Sequence, residues 1–175
     1  MKISITILSL FICATLYSQN EFAATSFYNE FRKIYADAQE GFLKNKGAKK
    51  ISEFEDLVDE HKAKWLLPLA DSGKIVFPVT GTPYALYYFE PSKTRLKVDQ
   101  RGAYLRDAVS TAFNKPLYTI TETTTINNFP YSDTWYFTEQ GESRKSFAAF
   151  RQTIYYSNGK YYLSFEIRGK RPQLQ

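Results

Sequence analysis

Between residues 147 and 170, apolar and polar side chains alternate on both sides of Asn158-Gly159, a pattern that predicts an antiparallel hairpin closed by a two-residue type I′ turn. Counting outward from the dipeptide opposes Tyr156 to Tyr161, Ile154 to Leu163, Gln152 to Phe165 and Phe150 to Ile167 on one face, nearly all of it apolar. The other face opposes Tyr155 to Tyr162, Thr153 to Ser164, Arg151 to Glu166 and Ala149 to Arg168, so a hydroxyl pair and an opposite-charge pair fall into line. Each such pair stabilises by roughly 0.2 to 1 kcal/mol over alanine, and a one-residue slip would break them all. The expectation is an antiparallel sheet with one buried face and one wet face, on which Arg151 and Glu166 stay hydrated.

Upstream, Phe27, Phe31, Ile34, Tyr35, Ala38 and Phe42 recur at helical spacing and predict an amphipathic helix, with Thr25 or Ser26 as its cap and Gly47 at its end. Gly41 is positioned to shorten it. The charged stretch 48–61 is open between helix and strand; Ser52 with Glu55 three residues later is a capping-box pattern and favours a short helix. Residues 65–69 read as a strand followed by a turn at Asp71-Ser72-Gly73, then Ile75-Val76-Phe77 and residues 84–89 as further strands punctuated by proline. Leu105, Ala108, Val109, Ala112 and Phe113 predict a second helix over 99–114, capped by Asp99 and stopped by Lys115-Pro116. Residues 117–126 and 134–138 read as strands, with a loop over 127–133, and 168–172 as a basic tail. No sequence repeat or linker is evident. The fold class expected is α+β, a twisted antiparallel sheet of about five to seven strands with two main helices on one face.

Composition adds an address. Lys2 followed by an apolar run through Leu16 and by Tyr17-Ser18-Gln19 reads as a secretory signal peptide over 1–18, too short to span a membrane. Residues 19–175 then suit one domain, without a transmembrane span. The one cysteine, Cys13, leaves with the signal, so the core must hold without disulfides. A formal charge of +5, reduced by one when Lys2 is removed, is mild, and export argues against nucleic acid as a partner. Aromatics are abundant, 14 Tyr and 14 Phe, and most lie in strand-like segments.

Signals for catalysis are sparse. His61 is the sole histidine, which excludes a multi-histidine metal centre and leaves one imidazole base in a charged, surface-like segment beside Asp59 and Glu60. Neither a G-x-S-x-G turn nor a phosphate-binding glycine loop is present, and no motif calls for a cofactor. Glu139, Glu142 and Glu166 are the carboxylates from which a hydrolase pair could be drawn, although Arg151 already offers Glu166 a partner. The better candidate is a binding surface on the polar hairpin face: Arg151, Tyr155, Tyr162, Glu166 and Arg168, which combine flat amphipathic rings with guanidinium forks.

The signal ending Tyr17-Ser18-Gln19, the helix running from Phe31 to Phe42, the later helix and the closing tyrosine-rich hairpin resemble small exported bacterial proteins of unassigned function. That resemblance implies a periplasmic or outer-membrane-associated home and supplies no catalytic positions. The leading expectation is a non-enzymatic module that binds another envelope protein, as an accessory subunit of an outer-membrane or secretion assembly. The alternative is a small-ligand or glycan binder whose curled sheet forms a cone-like pocket, as in nuclear-transport-factor-like proteins; a hydrolase comes third. Oligomeric state is not readable from these features.

Overall fold

The computed structural model describes residues 21–50, 57–126, 129–139 and 144–170. The signal segment, the capping box at Ser52 and Glu55, Asn127-Asn128, Glu142 and the tail from Arg171 lie outside the described residues. The elements are α1 (Thr25–Gln39), β1 (Lys46–Lys50), β2 (Val58–Ala63), β3 (Ala70–Pro78), β4 (Tyr84–Ser92), α2 (Arg95–Phe113), β5 (Leu117–Ile126), β6 (Phe129–Glu139), a 3-10 turn (Lys145–Phe147), β7 (Phe150–Ser157) and β8 (Lys160–Arg168). One eight-stranded sheet runs β1-β2-β3-β4-β8-β7-β6-β5, antiparallel at every neighbour. The same order, one helix and then a four-strand meander, thus occurs twice without a repeat in the residues, and the last strands of the two meanders, β4 and β8, meet at the centre.

Eight strands replace the expected five to seven because the charged segment read as a short helix supplies β1 and β2 instead. Pairing of Val58–Lys62 with Lys74–Pro78 gives residues 58–62 ladder bonds and buries His61 and Ala63 on alternate positions, a tertiary gain that makes these charged residues a strand. Residues 65–69 form a connection rather than a strand, with Leu67 buried, Leu69 at φ 68° and the Ala70 N–H donating to the Leu67 carbonyl at 3.0 Å. Asp71-Ser72-Gly73 lies inside β3, where a bulge between Ala70 and Ser72 takes the place of a turn. β6 begins at Phe129, within the span expected to be a loop, because β5 pairs with it along its length.

Both helices form where periodicity placed them, with different ends. α1 starts after Ala24, which makes no side-chain cap bond, so neither Thr25 nor Ser26 has the capping role. It closes well before Gly47: Gly41 and Phe42 take φ of 78° and 61°, and their N–H groups donate to the Ala38 carbonyl (3.1 Å) and the Asp37 carbonyl (2.8 Å). α2 begins at Arg95, ahead of Asp99, and ends on Asn114 in the left-handed region at φ 52°. The Thr94 N–H is bonded to Ser92 Oγ at 3.1 Å, and Arg95 reaches Asp99 and Asp133, which anchors the added first turn.

The β7–β8 hairpin has the register read from its turn: Asn158 and Gly159 both have positive φ, and Phe150↔Ile167, Arg151↔Glu166, Ile154↔Leu163 and Tyr155↔Tyr162 are opposed. On the apolar face, Phe150 is fully buried with ring centroids of Phe31, Tyr35 and Phe113 at 5.1–5.2 Å. Gly102 of α2 sits so close to the same face that a β-carbon there would stand 2.8 Å from the Gln152 amide and 3.0 Å from Ile154. These contacts of α1 and α2 fall on Phe150, Gln152 and Ile154, alternate positions of β7. Gln152, the polar member of that set, is fully buried; with its amide turned to suit its surroundings it donates to the Gly102 carbonyl (2.9 Å) and accepts from Arg106 (2.7 Å).

A polar knot ties α1 to the sheet. The buried Asp37 carboxylate accepts the backbone N–H groups of Lys44 (3.0 Å) and Asn45 (2.7 Å). Asn45, fully buried, accepts the Trp65 N–H at 2.7 Å and donates its amide to the Tyr87 hydroxyl at 3.1 Å. The Tyr87 ring lies over Gly73, where any β-carbon would come within 2.8 Å of it.

Candidate functional site

The outward face of the central strands carries the polar hairpin positions. Register across four strands aligns Leu86, Glu166, Arg151 and Tyr136 in one row and Tyr88, Ser164, Thr153 and Thr134 in the next, with Tyr162, Tyr155 and Ser132 beyond. Along these rows lies a hollow of about 350 Å³, with Tyr88, Tyr155, Arg151 and Glu166 among the residues that line it. All five residues singled out in the sequence stand on this face, and Arg151, Tyr155 and Glu166 line the hollow with the hydroxyl pair Thr153 and Ser164; three groups not foreseen, Leu86, Tyr88 and Thr134, complete it. Leu86 and Tyr88 arrive through β4–β8 pairing, a contact between residues some eighty positions apart that leaves no local mark in the sequence.

Glu166 departs from the expectation of a hydrated carboxylate, because its side chain is only 3% exposed. The departure has a clear cause: two guanidinium groups close over it, Arg151 from β7 and Arg168 from its own strand, the latter with Nε 2.8 Å from Oε1. A buried carboxylate persists when charge-assisted bonds replace its water. The arginines differ in what remains available. Arg168 also donates to the Ser146 carbonyl at 3.0 Å and is spent on fastening the 3-10 turn, whereas the Arg151 side chain keeps 37% of its surface in solvent.

Beside this pair Tyr155 and Tyr162 stack at 5.2 Å with planes 11° apart. Partial burial, followed by the neighbouring phenols of Tyr88, Tyr162 and Tyr131, pushes the Tyr155 hydroxyl above its ordinary value, and burial does the same to Tyr88. Tyr84 is raised by burial and then by Glu166. These phenols are therefore neutral at physiological pH, offering hydrogen bonds and flat apolar faces rather than charge. Thr134 and Thr153 hydroxyls lie 3.2 Å apart and extend the polar strip.

Of the residues considered for catalysis, Glu166 is enclosed by its two arginines, and the other two that are described, Glu139 and His61, stand elsewhere. Register places Glu139 on the opposite face of β6 from Tyr136, and so opposite to the face that carries Glu166; it is exposed, with Lys115 4.0 Å away. His61 is buried rather than on the surface, its Nδ1 3.1 Å from the Gly47 carbonyl and its Nε2 2.9 Å from Asp59. That hydrogen bond, then Lys49, holds the Asp59 carboxyl below the usual carboxylate range. The imidazole thus joins β1 to β2 at the far side of the sheet. Chemically, the outward face can present two stacked rings, one half-free guanidinium and a strip of hydroxyls. Comparison with family models, curated proteins and solved structures finds no match to this chain.

Proposed function

We propose that this chain is an exported, non-enzymatic module that binds another envelope protein through the outward face of β4, β8 and β7. The observation that carries the reading is the stacked Tyr155–Tyr162 pair standing next to an Arg151 held in place by the buried Glu166. Tyrosine and arginine dominate binding hot spots, and groups already locked by neighbours lose little side-chain entropy when a partner arrives. The reading takes the two helices as cover for the inner face, leaving the outer one for recognition. Export rests on Lys2 and the apolar run after it; no helix among the described residues is long and apolar enough to cross a membrane. A photo-cross-linking amino acid at Tyr155 in intact bacterial cells should capture a reproducible protein, and Arg151→Ala should reduce that capture at least tenfold. Recovery of no reproducible partner, or capture indifferent to Arg151, would overturn the reading.

A second reading, a glycan or other small hydroxylated ligand, draws on the hollow itself, where Tyr88 and Tyr155 flank the hydroxyls of Thr153 and Ser164. Aromatic walls with fixed hydroxyls suit a sugar ring. Ligand that binds only the folded state raises the melting temperature, so a thermal-shift screen of mono- and disaccharides separates the two: a shift abolished by Tyr155→Ala favours the sugar.

A further inference from the structure

The two edges of the sheet are built differently. β1 is five residues long, interrupted by a register shift between Lys46 and Lys49, and carries Lys46, Lys49 and Lys50. Shortness, a bulge and lysines are the devices by which proteins keep an edge from pairing with a copy of itself. β5 is neither short nor lysine-bearing, and its register shift against β6 lies near its far end, between Thr124 and Thr125. It is ten residues long, Leu-Tyr-Thr-Ile-Thr-Glu-Thr-Thr-Thr-Ile, free of proline, and regular in its pairing with β6 as far as Thr124. Among the described residues no strand lies along its outer side, and eight of its residues are exposed, with Tyr118 at 58% and Ile126 at 51%.

We propose that β5 pairs antiparallel with β5 of a second copy of this chain, joining two eight-stranded sheets into one across a twofold axis. Charge decides in favour of a second copy. The single ionised group on the strand, Glu122, is already matched within the chain by Lys145 Nζ at 3.0 Å and by the Tyr136 hydroxyl at 3.1 Å, so two such edges meet without net repulsion. A foreign strand would be selected by pockets for its alternate side chains, and β5 offers small, exposed threonines in place of pockets. Threonine complements itself: the β-branched side chain fits a pleated surface, and cross-strand threonine pairs are favourable. An axis at Thr121 sets Thr121 opposite itself, Thr119 opposite Thr123 and Tyr118 opposite Thr124, and it places each Glu122 opposite Ile120 rather than opposite its twin. Head-to-tail pairing of β5 with β1 would instead build an open filament, and the short, bulged, lysine-bearing β1 edge opposes it.

Sedimentation velocity over a concentration series tests the proposal. The chain should show a monomer–dimer equilibrium, and Thr119→Lys/Thr121→Lys and Thr119→Glu/Thr121→Glu should each weaken it at least tenfold by setting like charges across the axis. Mixing the two variants in equal amounts should restore the dimer, which also shows that both remain folded. A wild-type chain that stays monomeric throughout, a dimer unaffected by either variant, a mixture that fails to recover, or growth into filaments would each overturn it. Cross-linking from Thr121 to a different protein in a chain that is otherwise monomeric would assign the edge to a foreign strand instead.

Discussion

Each half of the chain carries a buried polar cluster that reaches a central strand, β4 in one and β8 in the other, and the two clusters serve different ends. In the first, Asp37 of α1, Asn45 and Tyr87 make bonds that each join one part of the chain to another: the end of α1, the start of β1, the connection at Trp65 and the middle of β4. In the second, Glu166 with Arg151 and Arg168 lies on the face away from the apolar core, and one of its members stays half in solvent. Burial of a polar group is thus uninformative by itself. What distinguishes the clusters is the spare capacity left after internal bonds are counted: the amide knot has little to spare, whereas the guanidinium of Arg151 has an open side.

The largest effect should come from cutting the first cluster. Asn45→Ala strips the Trp65 N–H of its acceptor and the Tyr87 hydroxyl of its donor, leaving that hydroxyl only its 3.4 Å bond to the Trp65 carbonyl, and should cost about 2 kcal/mol. Urea denaturation measures this loss, while cross-linking from Tyr155, normalised to folded protein, should be unchanged. Glu166→Gln should invert that outcome. Its cost to stability should be only about 1 kcal/mol, because Arg151 is more than a third exposed and water takes up part of the lost attraction. Partner capture should nonetheless fall several-fold, since the guanidinium loses its anchor. Equal effects of both substitutions on both readouts would erase the distinction between the clusters.

The smallest effect is in the pH dependence, and it touches both. Tyr87 in the first cluster is pushed far up by burial, and Tyr84 beside the second is raised by burial and by Glu166. Each favours the neutral phenol in the folded chain, so the stability it contributes is complete below the ordinary tyrosine value of 10.0 and is lost as pH rises beyond it toward the folded-state value. Denaturation midpoints should therefore hold steady up to about pH 10 and decline above it. An ultraviolet titration should show Tyr87 ionising only as the chain unfolds.

What could be read from the sequence follows the range over which each interaction acts. The β7–β8 register was legible because a two-residue turn couples residues only a few positions apart, and it brought Arg151, Tyr155, Tyr162 and Glu166 to one face. The stripe of α1 was legible for the same reason. β1 and β2 were not, because nothing local distinguishes their charged residues from a solvated helix: the strand character of β2 comes from pairing with β3, and that of β1 from pairing with β2. The burial of Glu166 was likewise hidden: Arg151 opposite it was evident, but Arg168 two residues along its own strand completes the enclosure only once β8 has a neighbour on each side. Tyr88 and Leu86 entered the hollow through the longest-range strand contact in the sheet.

That contact has a kinetic consequence. Because Tyr84 pairs with Arg168 and Phe89 with Leu163, the first meander keeps its β4 side unpaired until a strand some eighty residues further along the chain arrives. Closing so long a loop is entropically slow, which gives Tyr87 and Phe89 an interval in which a chaperone or a neighbouring nascent chain can reach them before β8 docks.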